Sequence, residues 1–75
     1  MLRKRQNKAI YQIRLGCHIE KHQRYWFEEM MVTNLDDGEC TLVGSIPDQA
    51  ALFGILLKIR DLGLPLISVN QVSHE

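Results

Sequence analysis

Residues 45–69, SIPDQAALFGILLKIRDLGLPLISV, mark both ends of one helix and thereby decide the fold. The helix begins near Asp48, where either Ser45 or Asp48 can accept a hydrogen bond from an unpaired backbone N–H. Pro47 fits the first turn because that position needs no backbone donor. Gly63 ends the helix, since glycine enters the left-handed conformation without penalty, and the proline two residues later cannot continue it.

Between these ends the apolar residues repeat with the period of a helix. A buried stripe is predicted from apolar residues at the i, i+3, i+4 and i+7 spacing. Its members are Leu52, Ile55, Leu56, Ile59 and Leu62. We expect Ala50, Phe53 and Leu57 to widen this stripe to more than half of the helix circumference.

The rest of the chain has the two-residue period of β-strands. From Lys8 to Ile19 the alternation predicts a half-buried strand with its odd-numbered side inward. The next predicted strand, residues 25–35, is apolar on both faces. The sequence DDG at residues 36–38 predicts a tight hairpin turn into a third strand, residues 39–45. A closing strand, LISVNQV, is predicted at residues 66–72.

These elements predict an α+β domain of order β-β-β-α-β. The first three strands form an antiparallel meander, and the strand, helix and strand that follow form a crossover in a mixed sheet. One helix then covers one face of a four-stranded sheet, so the other face would expose apolar side chains of the second strand. Association of two copies would cover them, face to face or edge to edge. The predicted dimer or partner interface is Tyr25, Trp26, Phe27, Met30 and Met31.

Length and composition restrict the classes of protein. Seventy-five residues, 45% of them apolar and 24% charged, predict one small globular domain at residues 8–73 after a flexible basic tail at residues 1–7. The net charge is zero, but residues 1–24 carry seven Lys or Arg against one acid, whereas residues 25–75 carry two against eight. The longest apolar run is too short to span a membrane, and the N-terminus lacks the apolar core of a secretory signal. A cytoplasmic location is therefore expected.

Metal-binding and catalytic patterns are not found in the sequence. Cys17 and His18 are neighbours on a predicted strand and would point to opposite faces, and no pair of ligands has the spacing of a structural zinc site. The serines form no nucleophile elbow and the glycines no phosphate loop, so we predict neither an enzyme nor a cofactor. Cys17 and Cys40 are interpreted as small buried side chains of a reducing compartment.

Several residues of the helix are not explained by the scaffold alone. Gly54 lies in the middle of the helix, where it costs about 1 kcal/mol relative to Ala. It either admits a bulky neighbour, such as Trp26 or Met30, or permits close approach of a ligand. Arg60 and Asp61 either form a surface pair with each other or, because Asp61 opposes the helix dipole, Asp61 has another partner. The candidate ligand or partner contacts are Asp48, Gln49, Gly54, Arg60 and Asp61.

The helix also carries a run of residues that resembles the signature of a known family. It begins Asp-Gln-Ala-Ala-Leu and ends Ile-Arg-Asp-Leu-Gly-Leu-Pro-Leu, and the matching residues upstream are Trp26, Phe27, Thr41, Leu42 and Gly44. Over residues 11–69 the chain resembles a family of small bacterial proteins without an established activity, in which His stands where this chain has Phe53. The resemblance implies origin and fold, and no mechanism. At the fold level, the strand, helix and strand unit resembles half of an ACT or ferredoxin-like domain.

We therefore expect a homodimeric module that binds another protein and has no catalytic activity. One alternative is an ACT-like regulatory domain that holds a small molecule between subunits, which a cavity at the dimer seam near Asp48, Gln49 or Gly54 would indicate. A second is weak nucleic-acid binding through the basic N-terminal region and nearby aromatic side chains. The acidic remainder of the chain makes nucleic acid the less favoured partner, and no membrane partner is predicted.

Overall fold

The computed structural model describes residues 9–74, so the predicted basic tail at residues 1–7 lies outside the described residues. Four strands and two helices follow one another, with a short 3-10 turn after the first helix. They are β1 (Ala9–Leu15), α1 (Lys21–Arg24), the 3-10 turn (Tyr25–Phe27), β2 (Met31–Asn34), β3 (Cys40–Ile46), α2 (Gln49–Asp61) and β4 (Leu66–His74). The predicted α+β class and the four-stranded sheet are confirmed.

The strand order differs from the predicted meander. The sheet has the order β2-β3-β1-β4, and every neighbouring pair is antiparallel. β1 therefore pairs with β3 and β4 rather than with β2, and the predicted mixed sheet is wrong. β4 still runs parallel to β3, but β1 lies between them, so α2 connects two strands that are not neighbours.

The prediction of a strand from residue 25 is wrong over its first half, because the chain is helical there. The side-chain oxygen of Gln23 accepts a hydrogen bond from the backbone N–H of Glu20 at 2.9 Å, and a turn joins the N–H of Met30 to the carbonyl of Phe27 at 3.0 Å. Phe27 and Met30 are thereby brought to the same side, where they are 2% and 8% exposed. A spacing of three residues between apolar side chains fits a helical turn, and sequence alternation alone did not reveal it.

The hairpin predicted at residues 36–38 is present between β2 and β3. Gly38 has φ of 92°, a conformation that favours glycine. The N–H of Leu35 donates to the carbonyl of Glu39 at 2.7 Å, and the side chain of Asp37 accepts from the N–H of Glu39 at 2.9 Å. The turn therefore fixes the register in which Thr33 pairs with Thr41.

α2 begins and ends where the sequence predicts. The Asp48 carboxylate accepts from the N–H of Ala51 at 2.8 Å, and Gly63 follows the helix with φ of 73°. The buried side is narrower than expected, because Phe53 and Leu57 are 52% and 48% exposed.

The core lies between α2 and one face of the sheet. Ile13 pairs with Leu42 and Leu15 with Cys40, so the odd-numbered residues of β1 face inward as predicted. The buried apolar cluster comprises Ile13, Leu15, Ile19, Phe27, Met30, Cys40, Leu42, Ile46, Ile55 and Ile59.

The open face of the sheet is mostly polar. Register places on it the side chains of Ile10, Gln12, Arg14, Met31, Thr33, Thr41, Val43, Ser45, Ser68, Asn70 and Ser73. Arg14 forms an ion pair with Glu39 at 2.7 Å there. The contiguous apolar patch expected on this face is therefore not formed, because the second strand is shorter than predicted and its largest side chains lie elsewhere.

Candidate functional site

The five residues predicted as an interface do not share one surface. Phe27 and Met30 are buried in the core, so their side chains fill the monomer and do not form an outer surface. Tyr25 and Trp26 are 69% and 46% exposed on the 3-10 turn, with ring centroids 5.6 Å apart in an edge-to-face arrangement. Met31 is 70% exposed on the open face of the sheet. An interface role for the three exposed residues stays a prediction.

Most of the predicted contact residues on α2 have a local explanation. Asp48 caps the helix, and Gln49 is exposed directly after it. Arg60 and Asp61 form an exposed ion pair with each other at 3.0 Å, which is the surface pair that the sequence offered as one of two interpretations. Of this set, Asp61 borders a small cavity of about 190 Å³, and Gly54 lines a larger one.

That cavity, here called the Gly54 cleft, is a half-open space of about 410 Å³ between α2 and the residues before β2. Its lining is mostly apolar, with Glu29 and Lys58 as the charged members. The lining residues are Glu29, Met30, Ser45, Ile46, Pro47, Ala51, Gly54, Ile55 and Lys58. A volume of this size is at the lower end of the range for small-molecule sites, roughly 300–1,000 Å³.

Gly54 has no bulky neighbour, which corrects one of the two interpretations of this residue. A Cβ added at Gly54 would meet no heavy atom within 4 Å, so neither Trp26 nor Met30 packs against it. The glycine that does admit Met30 is Gly44 on β3, where an added Cβ would lie 3.1 Å from the Met30 Cγ. The missing side chain of Gly54 therefore leaves space in the cleft rather than relieving a contact in the core.

Lys58 stands at one side of the cleft and also borders two smaller cavities, of about 260 and 190 Å³. Its ammonium donates to the backbone carbonyl of Trp26 at 3.3 Å. Among residues 9–74 no ion pair involves Lys58 or Glu29, although both line the same cleft. Two uncompensated charges of opposite sign thus flank an apolar floor.

The free edge of β4 is a second exposed feature, and sequence reasoning missed it. β4 is the last strand in the sheet order, so within residues 9–74 only one of its two sides is paired. Leu66, Ile67 and Val72 are 48–50% exposed, and residues 66–73 contain no charged side chain. The absence of charges in this sequence could have indicated a strand that is able to pair with another chain. The strand order was needed to show that β4 lies at the edge of the sheet.

The two cysteines lie near each other at one end of the core. Cys40 is fully buried and Cys17, just beyond β1, is half-buried; both are free thiols. Burial raises the pKa of the Cys40 thiol, Cys17 raises it further, and Arg24 acts in the opposite direction. In the part of the chain that the structure describes, no group of three or more His, Cys, Asp or Glu side chains could hold a metal ion.

Comparison with known proteins places the chain in a family. The model of a family described as a domain of unknown function, DUF8691, matches residues 10–70. The chain belongs to the DUF8691 family. This match spans the region in which the sequence resembles a family without an established activity, and the particular helix signature stays a prediction. No curated protein and no solved structure matches the chain. None of the helices among residues 9–74 is long and apolar enough to cross a membrane.

Proposed function

We propose that this chain is a homodimeric protein-interaction module whose two copies pair through β4. Antiparallel pairing of β4 with the same strand of a second copy would join two four-stranded sheets into one. The observation that carries this proposal is a nine-residue edge strand, Leu66–His74, in which residues 66–73 carry no charge and three apolar side chains are half exposed.

The two edges of the sheet differ in how open they are to pairing. Natural edge strands are protected by shortness, by charges or by a covering segment. β2 has only four residues, and its end is tied to Ile19 by two hydrogen bonds of the Asn34 side chain, at 2.9 and 3.1 Å. β4 is more than twice as long, and residues 66–73 carry no charged side chain. Edge pairing at β4 is therefore favoured over pairing at β2.

An apolar flank of α2 adjoins the same edge. Gly54 and Lys58 face the cleft near β2, so the opposite flank, which includes Leu56, lies toward β4. Phe53, three residues before Leu56, adjoins it on the helix surface and is about half exposed. In the proposed dimer the two helices would approach each other above the seam between the sheets, which would bury these side chains.

The free energy available from burying apolar side chains at the seam is compatible with a reversible dimer. Burying the exposed half of a large apolar side chain contributes roughly 1 kcal/mol. The four such side chains of each copy are Phe53, Leu66, Ile67 and Val72. Together they would contribute roughly 8 kcal/mol to a symmetric dimer, against an association cost of about 4–15 kcal/mol. With the added backbone hydrogen bonds, we expect dissociation constants in the micromolar range.

Analytical ultracentrifugation tests the dimer. The wild-type chain should sediment at twice the chain mass of 8.7 kDa at concentrations of tens of micromolar. Ile67→Lys and Val72→Lys should each shift the equilibrium to the monomer, because a lysine on an edge strand discourages its pairing with another strand. Thr33→Lys on the β2 edge is the matched control and should leave the dimer intact. A wild-type monomer throughout this range, or dimers in both β4 variants, would overturn the proposed seam.

The binding of another protein is assigned to the exposed aromatic pair. Tyr and Trp are enriched among the residues that dominate protein interfaces, and Tyr25 and Trp26 present both rings on the surface remote from β4. A partner captured by the wild-type chain from a cell extract should be lost with the double variant Tyr25→Ser and Trp26→Ser. It should be retained with Phe53→Ser, which alters the β4 side. Equal capture by both variants would argue against this surface.

A further inference from the structure

We propose that the Gly54 cleft is a binding site for a free α-amino acid with an aliphatic side chain. This site goes beyond the proposed interaction role, since it concerns a small zwitterionic ligand. Three features of the cleft carry the inference: an unexplained glycine, an apolar floor, and two separated charges at its rim.

Gly54 is the first feature. Glycine in the middle of a helix costs about 1 kcal/mol relative to Ala, and no atom of the described residues comes near enough to require it. Its only evident effect in the monomer is to keep helix backbone exposed to the cleft. A ligand that lies against this backbone accounts for a residue that internal packing does not explain.

The floor is the second feature. Met30, Ile46 and Ile55 are buried core residues that also line the cleft, so the core is open to a ligand at this point. Ala51, one turn before Ile55, adds a small side chain that leaves room above them. An aliphatic group placed here would exchange water for apolar contacts on one side of the cleft, which favours leucine-like side chains over polar ones.

The charges are the third feature and select the ligand class. Lys58 can bind a carboxylate, and its ammonium is held in place by the Trp26 carbonyl at 3.3 Å. Glu29 can bind an ammonium group, and in the described part of the chain its carboxylate forms neither an ion pair nor a hydrogen bond. An apolar α-amino acid carries both complementary charges next to its side chain, whereas the interior of a peptide carries neither.

The cleft and the proposed dimer seam are on opposite flanks of α2. Glu29 and Met30 precede β2, which lies at the other edge of the sheet from β4. Variants at the seam should therefore leave ligand binding unchanged, and variants in the cleft should leave the dimer intact. Failure of one proposal is thus distinguishable from failure of the other.

Titration followed by amide NMR tests the site with four probes. L-leucine at millimolar concentration should shift the amides of Gly54, Ile46 and Lys58 in a saturable way. Glycine, which lacks the side chain, should bind about tenfold more weakly, a difference of about 1.4 kcal/mol. N-acetyl-L-leucine lacks the ammonium and L-leucinamide lacks the carboxylate, so each should bind several-fold more weakly than leucine.

Variants connect each charge to its partner on the ligand. Lys58→Gln should remove the preference for leucine over leucinamide, which lacks the carboxylate. Glu29→Gln should remove the preference for leucine over N-acetyl-leucine, which lacks the ammonium. Gly54→Ala should weaken leucine binding about tenfold while raising the melting temperature, so the loss is not one of folding. Arg60→Gln, on the same helix but outside the cleft, should bind leucine like the wild type.

Two results would overturn the site. One is the absence of saturable shifts with leucine in a chain that melts cooperatively. The other is a pattern of affinities that does not depend on both charges. Equal binding of leucine, N-acetyl-leucine and leucinamide would mean that the cleft recognises the apolar group alone, and tighter binding of a leucine-containing peptide would mean that it recognises a polypeptide segment.

Discussion

The same substitution at two glycines should change stability in opposite directions. Gly44 lies on β3 beneath the chain segment that precedes β2. A Cβ at Gly44 would meet the Met30 Cγ at 3.1 Å, the carbonyl oxygen of Glu29 at 3.2 Å and the Met30 Cα at 3.3 Å. Two of these three atoms belong to the backbone, so Gly44→Ala requires the whole segment to shift.

The magnitudes follow from these contacts. Overpacking of this kind costs about 1–3 kcal/mol, and the lower entropy of the unfolded chain returns about 0.4–1 kcal/mol, which leaves Gly44→Ala destabilised by roughly 1–2 kcal/mol. Gly54→Ala meets open space and gains helix propensity, so it should stabilise by about 0.8–1.0 kcal/mol. For a domain of this size each kcal/mol corresponds to about 4–8 °C in melting temperature.

Thermal unfolding followed by circular dichroism measures both changes in the same buffer. We expect a lower melting temperature for Gly44→Ala and a higher one for Gly54→Ala than for the wild type. A melting temperature of Gly54→Ala below that of the wild type would refute the open space beside the helix. An unchanged melting temperature for Gly44→Ala would refute the close contact between Met30 and β3.

Three further predictions concern the thiols, the β2 edge and the helix cap. A thiol reagent should modify Cys17 quickly and Cys40 only at the rate of unfolding, because Cys40 is fully buried. Burial raises the pKa of the Cys40 thiol in the folded chain. The stability that this neutral thiol contributes is therefore complete below the pKa of the thiol in the unfolded chain and is lost above about pH 8.5. Cys40→Ala should flatten the decline of the melting temperature at alkaline pH. Asn34→Ala breaks two hydrogen bonds to the Ile19 backbone and should cost about 1–3 kcal/mol in a denaturant titration, whereas the exposed Asn70→Ala should change stability by less than about 0.5 kcal/mol. Asp48→Ala should cost about 1 kcal/mol, and Asp48→Asn, which can still cap the helix, should restore most of it.

Local chemistry explains why some elements could be predicted. The bounds of α2 depend on Asp48 and Gly63, and the hairpin depends on Gly38; each acts within a few residues of its own position. The inward side of β1 likewise follows from simple alternation.

The failures have a common cause in contacts between distant residues. Residues 25–35 carry large apolar side chains at both odd and even positions, which suggests a buried strand. Tyr25–Phe27 instead form a 3-10 turn, and the chain turns again before β2, because Phe27 and Met30 reach the core together in that form. The mid-helix position of Gly54 was visible in the sequence, but the cleft was not, because its walls come from β3, α2 and the segment before β2. Phe27 and Met30 were predicted at an interface because the same segment was assigned to a strand, whereas both side chains are buried in the core.

The sequence by itself determined an α+β chain with one long capped helix, a tight hairpin and an apolar inner face on β1, since these depend on short-range spacing and on the conformational range of glycine and proline. The order of strands, the exposed edge of β4 and the charges that flank the Gly54 cleft were decided only by tertiary structure. Strand order is a choice between long-range pairings that satisfy the same alternating pattern, and the free energy that separates them lies in side-chain packing rather than in any local run of residues.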